Sequence, residues 1–369
     1  MYFEIENIGA IKHANIELGK LTVICGKNNT GKTYLTYSIY GFLQTVIEQS
    51  DDLSSLDSLA SLNQIYTEKL KEVFSANVDE FADAKFSVNL PDSKQNHREA
   101  LRKNACRPFI LPAERIGIQL FQKELDKNKS DLVKALTKTR RLALLEDHVA
   151  RLALPVEDNI DFARDYANVI KSNSFLKLEK PALISYLEDM LGVQYQIING
   201  QKVIIDKITQ KGLPYYMSSA SVRALFDLHL WLKHLVKKGD ILLMDEPELN
   251  LHPENQMKIA RLLVELVNNG INVFITTHSD YIIKEFNNLL MLANNFPEKE
   301  SFMNKFDYTQ DDVLHPEDLK AYIAHADGTV SRADIDEYGM IQSSFDDIIV
   351  QINEKSNQLI SAIDKLLAI

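Results

Sequence analysis

The chain has only two cysteines, Cys25 and Cys106, in 369 residues. A disulfide framework is excluded as the basis of the fold, although one pair between them stays open, and a reducing cytosol is the expected setting. No apolar run reaches the roughly 18 residues that a membrane-spanning helix needs. The N-terminus, MYFEIENIG, is acidic and strand-like, unlike a signal or transit peptide. An excess of basic charge is also missing: 41 Lys and Arg stand against 52 Asp and Glu, a net charge of −11. That argues against a general nucleic-acid coat, because phosphate binding is driven by Lys and Arg. It leaves room for a local basic groove. KALTKTRR (134–141) is the candidate, and its other reading is a solvated helix face. Internal repeats and low-complexity tracts are absent as well.

What is present is ordinary for a globular chain, with 45% hydrophobic and 25% charged residues. The length suggests two or three domains. Residues 2–7 and 15–25 alternate or run apolar and read as strands. A glycine-rich turn and a helical pattern follow them. Residues 50–195 change character to helical patterns with charged faces. RPFILPAERIGIQLF (107–121) interrupts them as a short strand and turn. A hairpin is expected around INGQ, then a helix over 219–238, a strand at 241–245, a helix at 254–269 and a strand at 271–278. Strands alternating with helices at this spacing indicate an α/β fold with a mostly parallel sheet. From about 296 the pattern changes again, with a hairpin expected around HADGTVS (325–331). Phe345, Ile348, Ile352, Leu359, Ile363 and Leu366 then make one apolar stripe at helical spacing. The stripe reads either as a face docked on the chain's own body or as a dimer seam.

The turn GKNNTGKT (26–33) fits G-x-x-x-x-G-K-[ST] at every position and sits between a strand and a helix. Gly26, Lys27, Asn28, Asn29, Thr30 and Gly31 would offer backbone N–H groups to phosphates, helped by the start of the helix. Lys32 would reach the β- and γ-phosphates, and Thr33 would offer its hydroxyl to Mg²⁺. ATP with Mg²⁺ is the implied ligand pair.

The second chemical stretch is ILLMDEPELNLHP (241–253). Four apolar residues make a buried parallel strand. Asp245 ends it where ligands bind in open α/β sheets, and is expected to hold the metal. Glu246, one residue on, is expected to act as base or to position the attacking water. Glu248, after the proline, is read either as facing a second copy or as an ordinary turn residue. FITTHS (274–279) ends a neighbouring strand in His278, placed to reach the γ-phosphate or the water.

Together these elements resemble the ABC-type ATPases. GKNNTGKT stands as Walker A, ILLMDEP as Walker B with its glutamate, PELNLHP as the D-loop region and THS as the switch-histidine motif. MSSASVRAL (217–225) stands where the family's signature opens a helix, with Ser219 and Ala220 in place of glycines. This serine-rich form, together with ELNLHP and LPAERIGI, resembles the RecF/SMC-related branch that includes the OLD-like ATPases of phage defence. The resemblance implies an ABC-type head over 1–50 and 191–295, to which 106–121 returns. A mainly helical insertion over 51–190 would interrupt it, and an α-rich tail over 296–369, with an amphipathic helix at 343–368, would follow. It further implies a homodimer, or a higher even oligomer, in which Ser218 and Ser219 reach the γ-phosphate bound by the other copy. A glutamine-loop residue is not placed: Gln44 and Gln119 are both candidates. Arg115, in PAER, is read as a phosphate or interface residue or as half of a structural ion pair.

Four functions compete. The first is a switch that gates a separate nuclease or toxin in bacterial anti-phage defence. The second is a RecF- or SMC-like DNA maintenance ATPase. The third is a self-contained nuclease, hinted at only by Asp334 and Asp336 in RADIDEYG, whose other reading is a surface turn. The fourth is a transporter's ATPase subunit. The sequence reading favours the first, with no nuclease activity of its own and no membrane contact, and leaves nucleic-acid binding open.

Overall fold

In the computed structural model, residues 1–49, 59–76, 83–89, 106–118, 152–198, 200–336 and 338–340 are described, with Phe81, Glu354, Lys355 and Gln358 as isolated positions. KALTKTRR, Gln119 and, apart from those last three positions, the amphipathic helix expected at 343–368 with its whole apolar stripe lie outside the described residues. Strands β1 (Tyr2–Ile8) and β2 (Ile11–Glu17) form a hairpin, and β3 (Leu21–Gly26) leads into helix α1 (Lys32–Glu48). Then come α2 (Leu59–Phe74), β4 (Lys85–Asn89), β5 (Pro108–Leu111), α3 (Leu154–Arg164) and α4 (Pro181–Leu191). Strands β6 (Val193–Ile198), β7 (Gln201–Asp206) and β8 (Gly212–Pro214) precede α5 (Ala220–Ala224) and α6 (Phe226–His234). The chain continues through β9 (Ile241–Asp245), α7 (Pro253–Asn268), β10 (Asn272–Thr277), α8 (Asp280–Met291), β11 (Leu319–Ala324) and β12 (Thr329–Arg332).

Nine of these strands make one sheet in the order β4-β1-β2-β12-β11-β3-β10-β9-β5. From β11 to β5 every neighbouring pair is parallel. Period-two alternation sends each central strand into both layers. Leu242, Met244, Val273, Ile275, Leu21 and Val23 face one core, which α4, α6, α7 and α8 cover. Ile241, Leu243, Phe274 and Ile24 face the other, which α1 and α2 cover. The fold is thus α/β with a mostly parallel sheet, as the alternation of strands and helices implied.

Two placements differ from the sequence reading. The segment around HADGTVS was expected to follow the head as part of the tail, yet β11 lies between β3 and β12 in the middle of the sheet. Short, partly polar strands give a weak periodicity, and the stretch between α8 and β11, which carries a short helix at Lys299–Lys305 and two helical turns, hides the return. Within 51–190, read as helical, β4 pairs antiparallel with β1 at the sheet's far edge. Among the described residues, no helix is long and apolar enough to cross a membrane.

The hairpin expected around INGQ forms as β6 and β7, and β8 extends it to a three-stranded sheet. This small sheet is pinned by aromatic residues. Tyr195 donates its hydroxyl to the Val222 carbonyl at 2.7 Å, and Tyr166 donates to Asp227 at 2.8 Å. The Lys202 ammonium sits 4.1 Å from the centre of the Tyr166 ring. The sheet therefore fixes the base of α5. The single helix expected over 219–238 is broken at Leu225, a fully buried residue between α5 and α6.

Candidate nucleotide site

Four strand ends and one helix start converge on the loop between β3 and α1. Gly26 and Gly31 are required there for different reasons. A Cβ on Gly26 would lie 2.5 Å from the Ala324 carbonyl of β11, so only glycine allows that approach. Gly31 holds φ at +87°, a conformation that disfavours side chains, and its Cβ would also strike Ile11 at 2.5 Å. Lys27, Asn28 and Asn29 are exposed along the loop, and the Thr30 hydroxyl closes it by donating to the Lys27 carbonyl at 2.9 Å. Lys32 donates to the carbonyls of Gly26 at 2.9 Å and Lys27 at 2.8 Å. The ammonium is parked on the loop it would leave to reach a phosphate. Burial lowers its pKa, opposed by Glu246, Asp245 and Glu248.

Asp245 is fully buried at the end of β9. Thr33 donates to its Oδ2 at 2.8 Å, Thr36 donates to its Oδ1 at 3.4 Å, and Thr276 also donates to Oδ1. Burial raises its pKa, and the Thr276 and Thr33 hydroxyls oppose that shift. A buried carboxylate touching the loop's threonine hydroxyl is a hard-oxygen pair suited to Mg²⁺, which keeps most of its shell as water and phosphate. Thr33 and Asp245 would hold the ion, directly or through water.

Glu246 adopts φ +49°, which turns it out of the strand. Its backbone N–H donates to the Thr276 carbonyl at 3.1 Å. Its Oε1 lies 3.4 Å from His278 Nδ1, and the histidine beside it lowers its pKa. A carboxylate held anionic in this way is better suited to orienting water than to accepting a proton outright. Glu248 does not face outward. Its side chain is 5% exposed and folds back on its own site, beside His278.

Arg115 is 1% exposed, and among the described residues no carboxylate lies within ion-pair distance of it. It donates to four backbone carbonyls: Pro112 at 3.1 Å, Asp245 at 2.8 Å, Glu246 at 2.9 Å and Ala224 at 3.2 Å. The guanidinium thus ties the end of β9 to the end of α5. The last contact draws on a carbonyl at the helix break, a tertiary cause that no local pattern in 219–238 reveals. Glu114, just before it, accepts from the Tyr37 hydroxyl at 3.1 Å. Gln44 donates to the Tyr40 hydroxyl at 2.7 Å within α1, so it is committed to the core side of the helix.

The structure therefore gathers the phosphate loop, Thr33, Asp245, Glu246 and His278 into one site, and leaves Ser218 and Ser219 apart from it. The Ser218 hydroxyl donates to the Tyr215 carbonyl at 2.6 Å, and Ser219 caps α5 by accepting from the Val222 N–H at 3.3 Å. Ser219 is exposed, as are Tyr216 and Met217 just before the pair. Sequence reasoning missed Thr36 and Thr276, whose only signal was a threonine one turn past the loop and another just before the histidine. Asp336 is used within its own turn, where it accepts from the Tyr338 N–H at 2.7 Å. Among the described residues, no cluster of three or more His, Cys, Asp or Glu could hold a metal ion.

Residues 67–284 match the model of a family described as "AAA domain, putative AbiEii toxin, Type IV TA system". The match takes in β5, the serine turn, β9 and His278, and the phosphate loop precedes it. Over 60 residues the chain is 38% identical to an energy-coupling factor transporter ATP-binding protein, EcfA, of Methanothermobacter thermautotrophicus. That stretch is 16% of this chain and 19% of the relative, so the chain spans about a fifth of that relative's length. Among solved structures it is similar to an Smc head bound to the C-terminal winged-helix domain of ScpA. The identity is 13%, with 90% of this chain and 95% of that one covered, at a TM-score of 0.41. It is also similar to the SMC head domain from Thermotoga maritima, at 11% identity, 91% and 98% coverage and a TM-score of 0.38. With more than half of its length matched, the chain belongs to the family of AAA domains described as putative AbiEii toxins of type IV toxin–antitoxin systems.

Proposed function

We propose that this chain binds and hydrolyses ATP with Mg²⁺ and works as a dimeric, OLD-like switch. Its state gates a separate effector, a nuclease or toxin, in bacterial anti-phage defence. The observation that carries the reading is the compact set of Lys32, Thr33 with Asp245, and Glu246 with His278 around one phosphate loop. Bound Mg²⁺ would offset phosphate charge during transfer to water. The loop N–H groups and Lys32 would bind the phosphates, Glu246 would orient the attacking water, and His278 would donate to the γ-phosphate.

Pairing of two copies is supported by the exposed turn of Tyr216, Met217 and Ser219, with Ser218 half-buried among them. The bound γ-phosphate would favour the paired state through contacts made only there, as a population shift requires. Removing one such contact with Ser218→Ala is expected to weaken ATP-driven pairing by about tenfold. Binding of ATP to the single copy would be unaffected. Sedimentation at several ATP concentrations reads this out, and an unchanged dimer would remove Ser218 from the interface.

The family's description as a toxin of a toxin–antitoxin system supports an effector-linked role. The parts of 51–190 outside β4 and β5, and the residues that follow β12, are the proposed places for a trigger or partner, because the head is generic. Purification of tagged Glu246→Gln chain from its native cell, with ATP and Mg²⁺ present, is the direct test. Recovery of a specific small effector protein supports the gated reading. Recovery of DNA without protein replaces it with a RecF- or SMC-like maintenance function.

A further inference from the structure

Glu248 has no part in the chemistry assigned so far, yet its surroundings are unusual. Its Oε1 accepts from the Thr277 hydroxyl at 2.8 Å and from the His278 backbone N–H at 2.7 Å. Its Oε2 is buried without a hydrogen-bond partner among the described residues. A carboxylate so withdrawn from water is costly unless a cation lies close by. The group that meets this need is the His278 ring, whose Nδ1 is 3.3 Å from Glu248 Oε1 and 3.4 Å from Glu246 Oε1. The ring thus rests between two carboxylates, in ion-pair range of both, with Nδ1 hydrogen-bonded to neither in this arrangement. Lys32 is the other charged group that acts on it, and its ammonium is engaged by the loop carbonyls.

We propose that Glu248 is a positioning residue that holds His278 as an imidazolium, with Nδ1 shared between two acids and Nε2 left to donate to the γ-phosphate. The inference rests on the ATPase reading above. Two acids accomplish what one cannot. If Glu246 alone faced the imidazolium, the ring would neutralise the carboxylate that must orient the water. Glu248 takes up part of the ring's charge from a buried position that water cannot reach, and Glu246 keeps an anionic oxygen for the nucleophile. The backbone bond to His278 fixes the height of the ring, and the doubly protonated ring carries a proton on both nitrogens, so no tautomer has to be selected.

Glu248→Gln tests this with little change of shape, because an amide oxygen can still accept from Thr277 and from the His278 N–H. Glu246, with Glu248 adding, raises the His278 pKa above the ordinary imidazole value. Hydrolysis that needs the imidazolium should therefore be lost as pH rises through that raised value. In Glu248→Gln one raising neighbour is gone, and the alkaline fall of kcat should begin at lower pH. At alkaline pH kcat should drop roughly 10- to 100-fold. Nucleotide affinity should stay within about twofold and activity should recover toward wild type on acidification, because only the ring's charge has changed. The His278 ring, followed by NMR in the nucleotide-free chain and assigned with His278→Gln, should also titrate lower in the variant. An unmoved ring titration, or a uniform loss of kcat at every pH with a lowered Tm, overturns the assignment and leaves Glu248 a packing residue. A wild-type chain that binds no nucleotide would instead bring down the ATPase reading itself, so the two failures are distinct.

Discussion

Replacing Glu246 with glutamine is expected to slow ATP hydrolysis by roughly 10²- to 10⁴-fold while nucleotide affinity stays within about twofold of wild type. The separation follows from where the side chain sits. On the proposed reading the phosphates would be bound by the loop amides and Lys32, and the metal by Thr33 and Asp245, none of which the substitution touches. Glu246 is turned out of β9 by φ +49°, and Arg115 and Thr276 hold its backbone. Its carboxylate therefore hangs from a fixed peptide, half-buried and facing the site from the strand end. Glutamine keeps the size and one acceptor oxygen but loses the charge that pairs with His278 and would orient the water. Phosphate release under single-turnover conditions, set beside equilibrium binding of a fluorescent ATP analogue, separates the two quantities. With hydrolysis slowed, ATP and Mg²⁺ should also accumulate the paired form, visible by light scattering. Hydrolysis retained within about threefold of wild type would show that another group positions the water.

How far the sequence foretold this site depends on the range of the interactions involved. The phosphate loop was legible because its glycines, lysine and threonine are adjacent and their roles are local. Asp245 and His278 were legible because an apolar strand followed by an acid, one helix away from another strand ending in histidine, fixes two ends of one parallel sheet. The place of β11 was not legible, although its pairing with β3 presses the Ala324 carbonyl against Gly26 and shapes the loop. Nearly 300 residues separate the two strands, and nothing in either one encodes the register. Glu248 resembled any turn acid after a proline. What sets it apart is the way its carboxylate turns inward onto Thr277 and His278, a contact made only once β9 and β10 lie side by side. The break in the helix over 219–238 has the same origin, since Leu225 is a good helix former and the carbonyl before it answers to Arg115.

Arg115 carries the second large expectation: Arg115→Met should lower the unfolding free energy by about 3–5 kcal/mol. Methionine is similar in length and fills much of the same space, so the loss is not chiefly one of packing. It comes from the carbonyls of Pro112, Asp245, Glu246 and Ala224, which lose a charged donor in a site with almost no access to water. Burial pulls the guanidinium pKa down to about 10, against the raising effect of Asp245, Glu248 and Glu246, so the group remains a cation at neutral pH. Its donors face the carbonyl ends of β9 and α5, and the nearby carboxylates act on its charge only at a distance. Arg115→Lys should recover only part of the loss, because one ammonium cannot span four acceptors held in a planar fork. Urea unfolding of the three chains at neutral pH gives the order wild type, lysine, methionine. If methionine unfolds within about 1 kcal/mol of wild type, backbone satisfaction by Arg115 is not what holds β9 to α5. If the expected order appears, the strand end that carries Asp245 and Glu246 and the helix that follows Ser218 and Ser219 share one buried fastener. Movement of either would then be felt by the other through a single side chain.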